Sequence, residues 1–229
     1  MPYQIQKYKD GYRVYSISGT PLSHKALPLK QAIKQKIAAT LSSVRRTSGG
    51  SQGMGNEGYA LTDTDIQKIL GGTSLFKYPE LEGMSSIDDA FDDAGRAIML
   101  YLTENADTGH WVCMLKKGKT VEYFDPYGGY KPDGERRWLT KEKLEELGQD
   151  EPLLSKMLKE GGYKVVSNPY HFQKKPEDAE GDVNTCGRHC CSRLLLGHLS
   201  LPQYHKTIMN SGVPPDEFVT TLTAQVLNK

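Results

Sequence analysis

A chain of 229 residues, 37% apolar and 25% charged with a net charge of +1, fits one stable core plus a small appendage and reads as an ordinary soluble protein. No apolar run approaches the roughly 18–20 residues that cross a bilayer, and the first seven residues lack the apolar stretch of a secretory signal. A membrane role and secretion are therefore not expected, and a reducing, intracellular setting is.

The charge is unevenly spread. Residues 1–50 hold nine Lys/Arg against Asp10 alone, a net +8, which leaves −7 on the other 179 residues. A basic arm on a mildly acidic body points to contact with a polyanion, nucleic acid above all, with a solvated basic surface as the plain alternative. Within the arm, residues 3–9 and 12–18 alternate weakly around Asp10-Gly11, a hairpin signal. Pro28 opens a helix expected over 29–41, with Ala32, Ile33, Ile37, Ala38 and Leu41 at helical spacing. Lys30, Gln31, Lys34 and Lys36 form its polar face. Arg45-Arg46 then lead into a Gly/Ser-rich stretch too glycine-rich to pack. The expected organisation is a basic hairpin–helix module at 1–41, a linker at 42–57 and a folded domain at 58–229. Lys30, Lys34, Arg45 and Arg46 are the candidate nucleic-acid contacts.

The remainder alternates helix and strand. Thr62 or Thr64 caps a short helix ending at Leu70, and Ser85 or Ser86 precedes an acidic helical turn over 87–91. Residues 96–102 form an apolar run of the buried-strand kind. Strands expected at 110–115 and 120–124 are joined by a turn at Lys116-Lys117-Gly118-Lys119. Amphipathic helices at 140–147 and 153–159 follow, then a strand at 163–166 that stops at Asn168-Pro169. Residues 186–196 are apolar enough for a buried helix, and Pro202 and Pro214-Pro215 punctuate two final helices. Helices and strands mixed around a central hairpin predict an α+β fold, a mixed central sheet flanked by helices, with the small basic module ahead of it.

Two segments carry chemistry: Gly109-His110-Trp111-Val112 with Phe124-Asp125-Pro126-Tyr127-Gly128-Gly129, and Asn184-Thr185-Cys186-Gly187-Arg188-His189-Cys190-Cys191. A thiol attacks as its thiolate, which an imidazolium and a helix N-terminus both stabilise. Asn184-Thr185 are good N-cap types, so Cys186 falls in the first turn of its helix. Gly187 leaves no side chain beside the sulfur, and the main-chain N–H groups of that turn can face an oxyanion. With a turn at Gly118, His110 and Asp125 lie at the same end of one hairpin, where the carboxylate can fix the imidazole tautomer. Glu122 is the fallback acid. Singly these features have bland readings: a packed His-Trp strand, an Asp-Pro turn, a Cys-Gly helix start. The other cysteines read as core, Cys113 on a strand and Cys190 one helical turn after Cys186. A zinc site from Cys186, Cys190 and His189 or His198 is disfavoured, because successive ligands on one helix do not close a tetrahedron; no metal is expected.

The combined pattern, His-Trp…Phe-Asp-Pro-Tyr-Gly…Cys-Gly-x-x-Cys-Cys, resembles the adenovirus-protease (adenain) family of cysteine proteases. Its relatives are the capsid-maturation proteases of large DNA viruses, virophages and polinton-like elements, and the SUMO- and ubiquitin-like-protein-specific proteases. The wording is closest to the viral and polinton branch, over about residues 58–200. The resemblance implies a triad in His-Asp-Cys order with papain-like geometry: His110 as general base, Asp125 as its orienting acid, Cys186 as nucleophile, and Trp111 as the aromatic after the base. It implies a glutamine ahead of the cysteine whose amide completes the oxyanion hole. Gln173 has that chemistry but stands thirteen residues ahead, while Glu180 occupies the usual spacing; Gln173 is favoured, with 174–181 as an extra loop. The implied activity is endoproteolysis of viral capsid or core precursors, in the virion and inside the host cell, without a required cofactor. Activation by DNA or a small peptide is implied as well, with the basic arm as the DNA contact. Two alternatives stay open: a protease for SUMO- or ubiquitin-like tails, and a nucleic-acid-binding virion protein with an inactive protease body.

Overall fold

The computed structural model describes residues 3–9, 11–16, 19–22, 25–28, 31, 32, 35, 57–175 and 183–227. Strands β1 (Tyr3–Tyr8) and β2 (Gly11–Ser16) pair antiparallel, from Tyr3 opposite Ser16 to Tyr8 opposite Gly11. The reversal falls one residue earlier than the Asp10-Gly11 signal suggests: Lys9 takes the left-handed backbone, at φ 49°. Gly11 serves a different need, since a Cβ there would stand 2.8 Å from the carbonyl oxygen of Leu27, whose backbone bridges Tyr12. Gln31, Ala32 and Gln35 are helical. The rest of the helix expected at 29–41, the linker and Lys30, Lys34, Arg45 and Arg46 lie outside the described residues.

From residue 57 onward the chain forms one five-stranded mixed sheet with helices on its faces, an α+β architecture. After helix α1 (Asp63–Leu70) the strands are β3 (Ser74–Lys77), β4 (Arg96–Asn105), β5 (Thr108–Lys117), β6 (Thr120–Phe124) and β7 (Lys164–Ser167), adjacent in that order. The β4–β5–β6 meander is antiparallel, while β3 and β7 join its edges in parallel. Helices α2 (Lys141–Glu146) and α3 (Leu153–Glu160) lie in the β6–β7 crossover; α4 (Cys186–Leu195), α5 (Leu201–Met209) and α6 (Pro215–Leu227) close the chain.

Alternation along the strands supplies a core to each face of the sheet. Ile98, Leu100, Leu102, Trp111, Cys113, Leu115 and Phe124 point to the side covered by α1, α4, α5 and α6. Ala97, Met99, Tyr101, Val112, Met114, Val121 and Tyr123 point to the other, beneath α3 and two 3-10 turns, Tyr78–Gly83 and Ile87–Ala90. Helix α4 is the most enclosed, with every residue from Gly187 to Leu194 buried. Its two arginines find partners inside: Arg193 pairs Nε and Nη2 with Glu122, and Arg188 Nη1 donates to Thr223.

The structure departs from the sequence reading in a few places. Strand β3 and the 3-10 turn Gly134–Trp138 carry no signal in the pattern, β4 runs three polar residues past Leu102, and the acidic turn after Ser86 is 3-10. Thr185 holds the N-cap position of α4 but makes no side-chain cap; its hydroxyl donates to Asp216 instead.

Candidate active site

His110 is the third residue of β5, opposite Tyr101 on β4. It projects with Val112 and Met114 by strand alternation, and so does Asp125 with Tyr123 at the exit of β6. This shared face is why two residues fifteen apart meet: the His110 Nε2–H donates to Asp125 Oδ1 at 3.0 Å. Glu122 points to the opposite face, where Arg193 holds its carboxylate at 2.6 and 2.9 Å, so the structure brings Asp125 and not Glu122 to the imidazole.

The residues after Asp125 build the rest of the wall. The Tyr127 N–H donates to Asp125 Oδ1 at 2.7 Å, and the Tyr127 ring stacks on His110 with centroids 4.6 Å apart and planes 6° apart. Trp138 meets the same imidazole edge-on at 5.2 Å. The Pro126 carbonyl accepts from the N–H groups of Phe172 and Gln173, which anchors the segment carrying Gln173 to the acid's own turn. Gly128 permits this approach: at φ 73°, a Cβ there would lie 2.3 Å from the Tyr170 oxygen.

Cys186 opens α4, half-buried, within hydrogen-bonding reach of His110. Main-chain N–H groups of Trp111 and Gly187 also face its sulfur. Burial pushes the thiol up, but His110, through its hydrogen bond and charge, and the two N–H groups outweigh it, and the Cys186 pKa falls below the usual thiol value. His110 shows the reciprocal effect: burial lowers it, yet the Asp125 charge and hydrogen bond, with Cys186, carry it up to about 10. Asp125 is pushed up by burial and brought below the ordinary carboxylate range mainly by His110. An imidazolium held between carboxylate and sulfur is the consistent charge state. By contrast, burial pushes the Cys190 and Cys191 thiols up, and Cys113 and Cys190 pack in the core beneath.

Two clefts meet at Cys186. One, of about 470 Å³, is lined by His110, Tyr127, Tyr130, Trp138 and Gln173. The other, of about 510 Å³, is lined by Leu61, Thr62, Leu100, Trp111 and Asn184. Gln173 is thus in the wall of the cleft that holds the imidazole and thiol, its amide nitrogen 3.3 Å from the Val183 carbonyl. Glu180 lies outside the described residues. Gly187 faces Trp111 and Leu61, whose atoms would be 3.2 and 3.3 Å from a Cβ, so tight packing is the visible reason for glycine there. Among the described residues no cluster of three or more His, Cys, Asp or Glu side chains is arranged to hold a metal ion.

Sequence reasoning passed over Tyr127 and Trp138 as partners of His110, and over Asp216. The Asp216 carboxylate accepts from the Thr185 hydroxyl, from His189 Nε2 at 2.9 Å and from the Lys174 N–H at 3.2 Å. One side chain thereby holds the neighbours of both Cys186 and Gln173. The only signal for it was an acid in the first turn after Pro214-Pro215, which reads as a helix-dipole residue.

No protein-family model matches the chain. It is 34% identical over 173 residues to the uncharacterized protein V9 of Sputnik virophage, covering 73% of this chain and 95% of that protein. Among solved structures it is similar to the SUMO protease Ulp1 with its catalytic cysteine oxidized to a sulfenic acid, at 14% identity and TM-score 0.35, over 90% of this chain and 98% of that one. It is also similar to the C-terminal Ulp1 protease domain in complex with Smt3, the yeast ortholog of SUMO, at 13% identity and TM-score 0.33, over 89% and 97% of the two chains.

Proposed function

The chain belongs to the family of the Sputnik virophage protein V9, and we propose that it is a cysteine endopeptidase that cleaves viral capsid or core precursors by acyl transfer to Cys186. The observation that carries this reading is the line Cys186–His110–Asp125, with a lowered thiol and a raised imidazole at the junction of two clefts. A groove that continues on both sides of the sulfur suits a chain cut in its interior, because substrate has room before and after the scissile bond.

The chemistry follows from the geometry. The Cys186 thiolate attacks the scissile carbonyl carbon, and the oxygen takes up the negative charge. Main-chain N–H groups at the start of α4 and the Gln173 amide, once it turns from Val183, are the donors for that oxyanion. His110 then gives its proton to the departing amine as the C–N bond breaks, leaving a thioester on Cys186. Now neutral, His110 takes a proton from water, whose oxygen attacks the thioester, and the carboxylic acid leaves as the thiolate re-forms. Asp125 keeps its charge throughout and holds the imidazole in place.

The test is mass-spectrometric mapping of products from the capsid proteins of the source virus, incubated with wild type or Cys186→Ala. Cleavage by wild type alone is the expected result, and cleavage retained in Cys186→Ala overturns the assignment. A parallel panel of Gly-Gly-terminated fluorogenic substrates separates precursor processing from trimming of ubiquitin-like tails.

A further inference from the structure

We propose that Glu135 and Asp125 share one proton, with Glu135 as the un-ionised donor, so that Glu135 is the positioning residue that holds the Asp125 carboxylate toward His110. The inference deepens the protease reading and, in its catalytic part, rests on it.

Glu135 lies in the 3-10 turn Gly134–Trp138, a segment rich in charged residues, yet only 2% of it is exposed. Its Oε1 accepts from the Tyr123 hydroxyl at 2.5 Å. Asp125 is fully enclosed, with Oδ1 accepting from His110 and from the Tyr127 N–H. The second oxygen of each carboxyl, Glu135 Oε2 and Asp125 Oδ2, is buried, and among the described residues no N–H or hydroxyl donor reaches either. The two side chains are in hydrogen-bonding contact with each other. Two buried carboxylates facing one another cannot both be ionised, and a single proton between them satisfies both orphaned oxygens.

The proton belongs on Glu135. Each carboxyl has a main-chain N–H, but Asp125 also has a cationic partner in His110, whereas Glu135 has a neutral phenol. The other titratable groups around the pair are Tyr123 and Tyr101, with Asp133 and Tyr78 behind them. Arg136 and Arg137, the neighbours of Glu135 in the turn, are directed at the carbonyls of Gln149 and Gly134. Burial, and next the Asp125 charge, push Glu135 up to about 9, in keeping with this placement. The consequence for Asp125 is a fixed rotamer: with Oδ2 held from behind, Oδ1 has only His110 and the Tyr127 N–H to face.

Glu135→Gln is the informative variant, because an amide donates to Asp125 Oδ2 and accepts from Tyr123 without titrating. The first readout is the infrared carbonyl band of a buried un-ionised carboxylic acid at neutral pH, expected in wild type and absent in Glu135→Gln. The second is alkylation of Cys186 by iodoacetamide across pH. Wild type and Glu135→Gln should react alike near neutrality and both should inflect near pH 10 as His110 loses its proton, while only wild type should show a further step near pH 9, where Glu135 ionises. Glu135→Leu, which removes the donor, should be alkylated about tenfold more slowly, the equivalent of one pKa unit at the His110–Cys186 pair. An acid band that persists in Glu135→Gln, or a step near pH 9 that persists in it, overturns the proposal. A wild-type Cys186 no more reactive than a free thiol counts against the protease reading alone, while loss of the band in Glu135→Gln still upholds the shared proton.

Discussion

Asp216, in the first turn of the last helix, accepts a hydrogen bond from the hydroxyl of Thr185, the residue directly ahead of Cys186. Its carboxylate also takes His189, buried like Thr185 and Asp216 itself, and the N–H of the exposed Lys174. Removing it leaves two buried donors, the Thr185 hydroxyl and His189, without an acceptor, so Asp216→Ala should lose about 1–3 kcal/mol for each in urea denaturation. Asp216→Asn should lose less, because the hydroxyl and imidazole can reverse their roles. Acid sensitivity gives a second reading. Burial lowers the His189 pKa below 6.5 despite Asp216, so the unfolded chain takes up a proton that the folded one refuses. Stability should therefore begin to fall as pH drops below about 6.5. It should fall further as pH drops through the lowered Asp216 value. His189→Gln should remove the first part of that decline, and an unchanged decline would remove His189 from the account.

The imidazole predicts a trend at the other end of the pH scale. The folded-state pKa of His110 is raised to about 10. Its contribution to stability is complete below the unfolded value of about 6.5 and is lost as pH rises through about 10. The denaturation midpoint of His110→Ala should lack that alkaline decline. The same variant should move the thiol. Without the imidazolium the burial of Cys186 acts unopposed by His110, so the pH midpoint of its alkylation should shift upward from the lowered wild-type value.

What was legible beforehand was short-range. Gly-His-Trp, Asp-Pro-Tyr-Gly and Asn-Thr-Cys-Gly each set a local geometry, and the turn at Gly118 put His110 and Asp125 at one end of the hairpin; that they share a face depends on the register. The role of Tyr127 was hidden inside its motif, because ring stacking on His110 depends on where the turn closes. Glu135 was not legible, since Asp133-Gly134-Glu135-Arg136-Arg137 reads as a solvated turn and only long-range packing against Tyr123 and Asp125 buries it. Strand β3 is four residues long with one buried side chain, too short for alternation to register. Thr185 looked like an N-cap because threonine is a capping type; a carboxylate from a helix thirty-one residues later competes for its hydroxyl.

Glu122 offers a separation of stability from chemistry. Its pairing with the fully enclosed Arg193, which also donates to the Leu196 and Leu199 carbonyls, lies on the face of the sheet away from Asp125. Glu122→Ala strands a buried guanidinium and should cost about 3–5 kcal/mol of stability. The alkylation profile of Cys186 in the folded fraction should not move. A displaced profile would mean that Glu122 takes part in the proton chemistry after all.

The basic arm carries its own prediction, on our proposal that it contacts DNA. Lys7 and Lys9 are exposed on the first hairpin, and residues 1–50 carry a net +8. Each phosphate neutralised contributes about 0.9 to the slope of log affinity against log salt. Deleting residues 1–50 should weaken binding to duplex DNA and flatten that slope, as read by fluorescence anisotropy at several salt concentrations. An unchanged slope would place the contact elsewhere or nowhere.

Gly128 joins the acid to the proposed oxyanion donor. Its φ of 73° and the 2.3 Å from an added Cβ to the Tyr170 oxygen leave Gly128→Ala two ways to be accommodated, both costly. Either the turn after Asp125 abandons the left-handed backbone, which would cost an alanine about 1–2 kcal/mol to keep, or the segment from Tyr170 to Gln173 moves away. The second displaces Gln173 while leaving His110, Asp125 and Cys186 in place. Gly128→Ala should therefore retain the Cys186 alkylation profile and lose turnover of any peptide substrate that wild type cleaves, with kcat falling and KM little changed. That split is the signature of an interaction made only in the transition state. Equal loss of alkylation and turnover would instead place the damage at the imidazole–thiol pair.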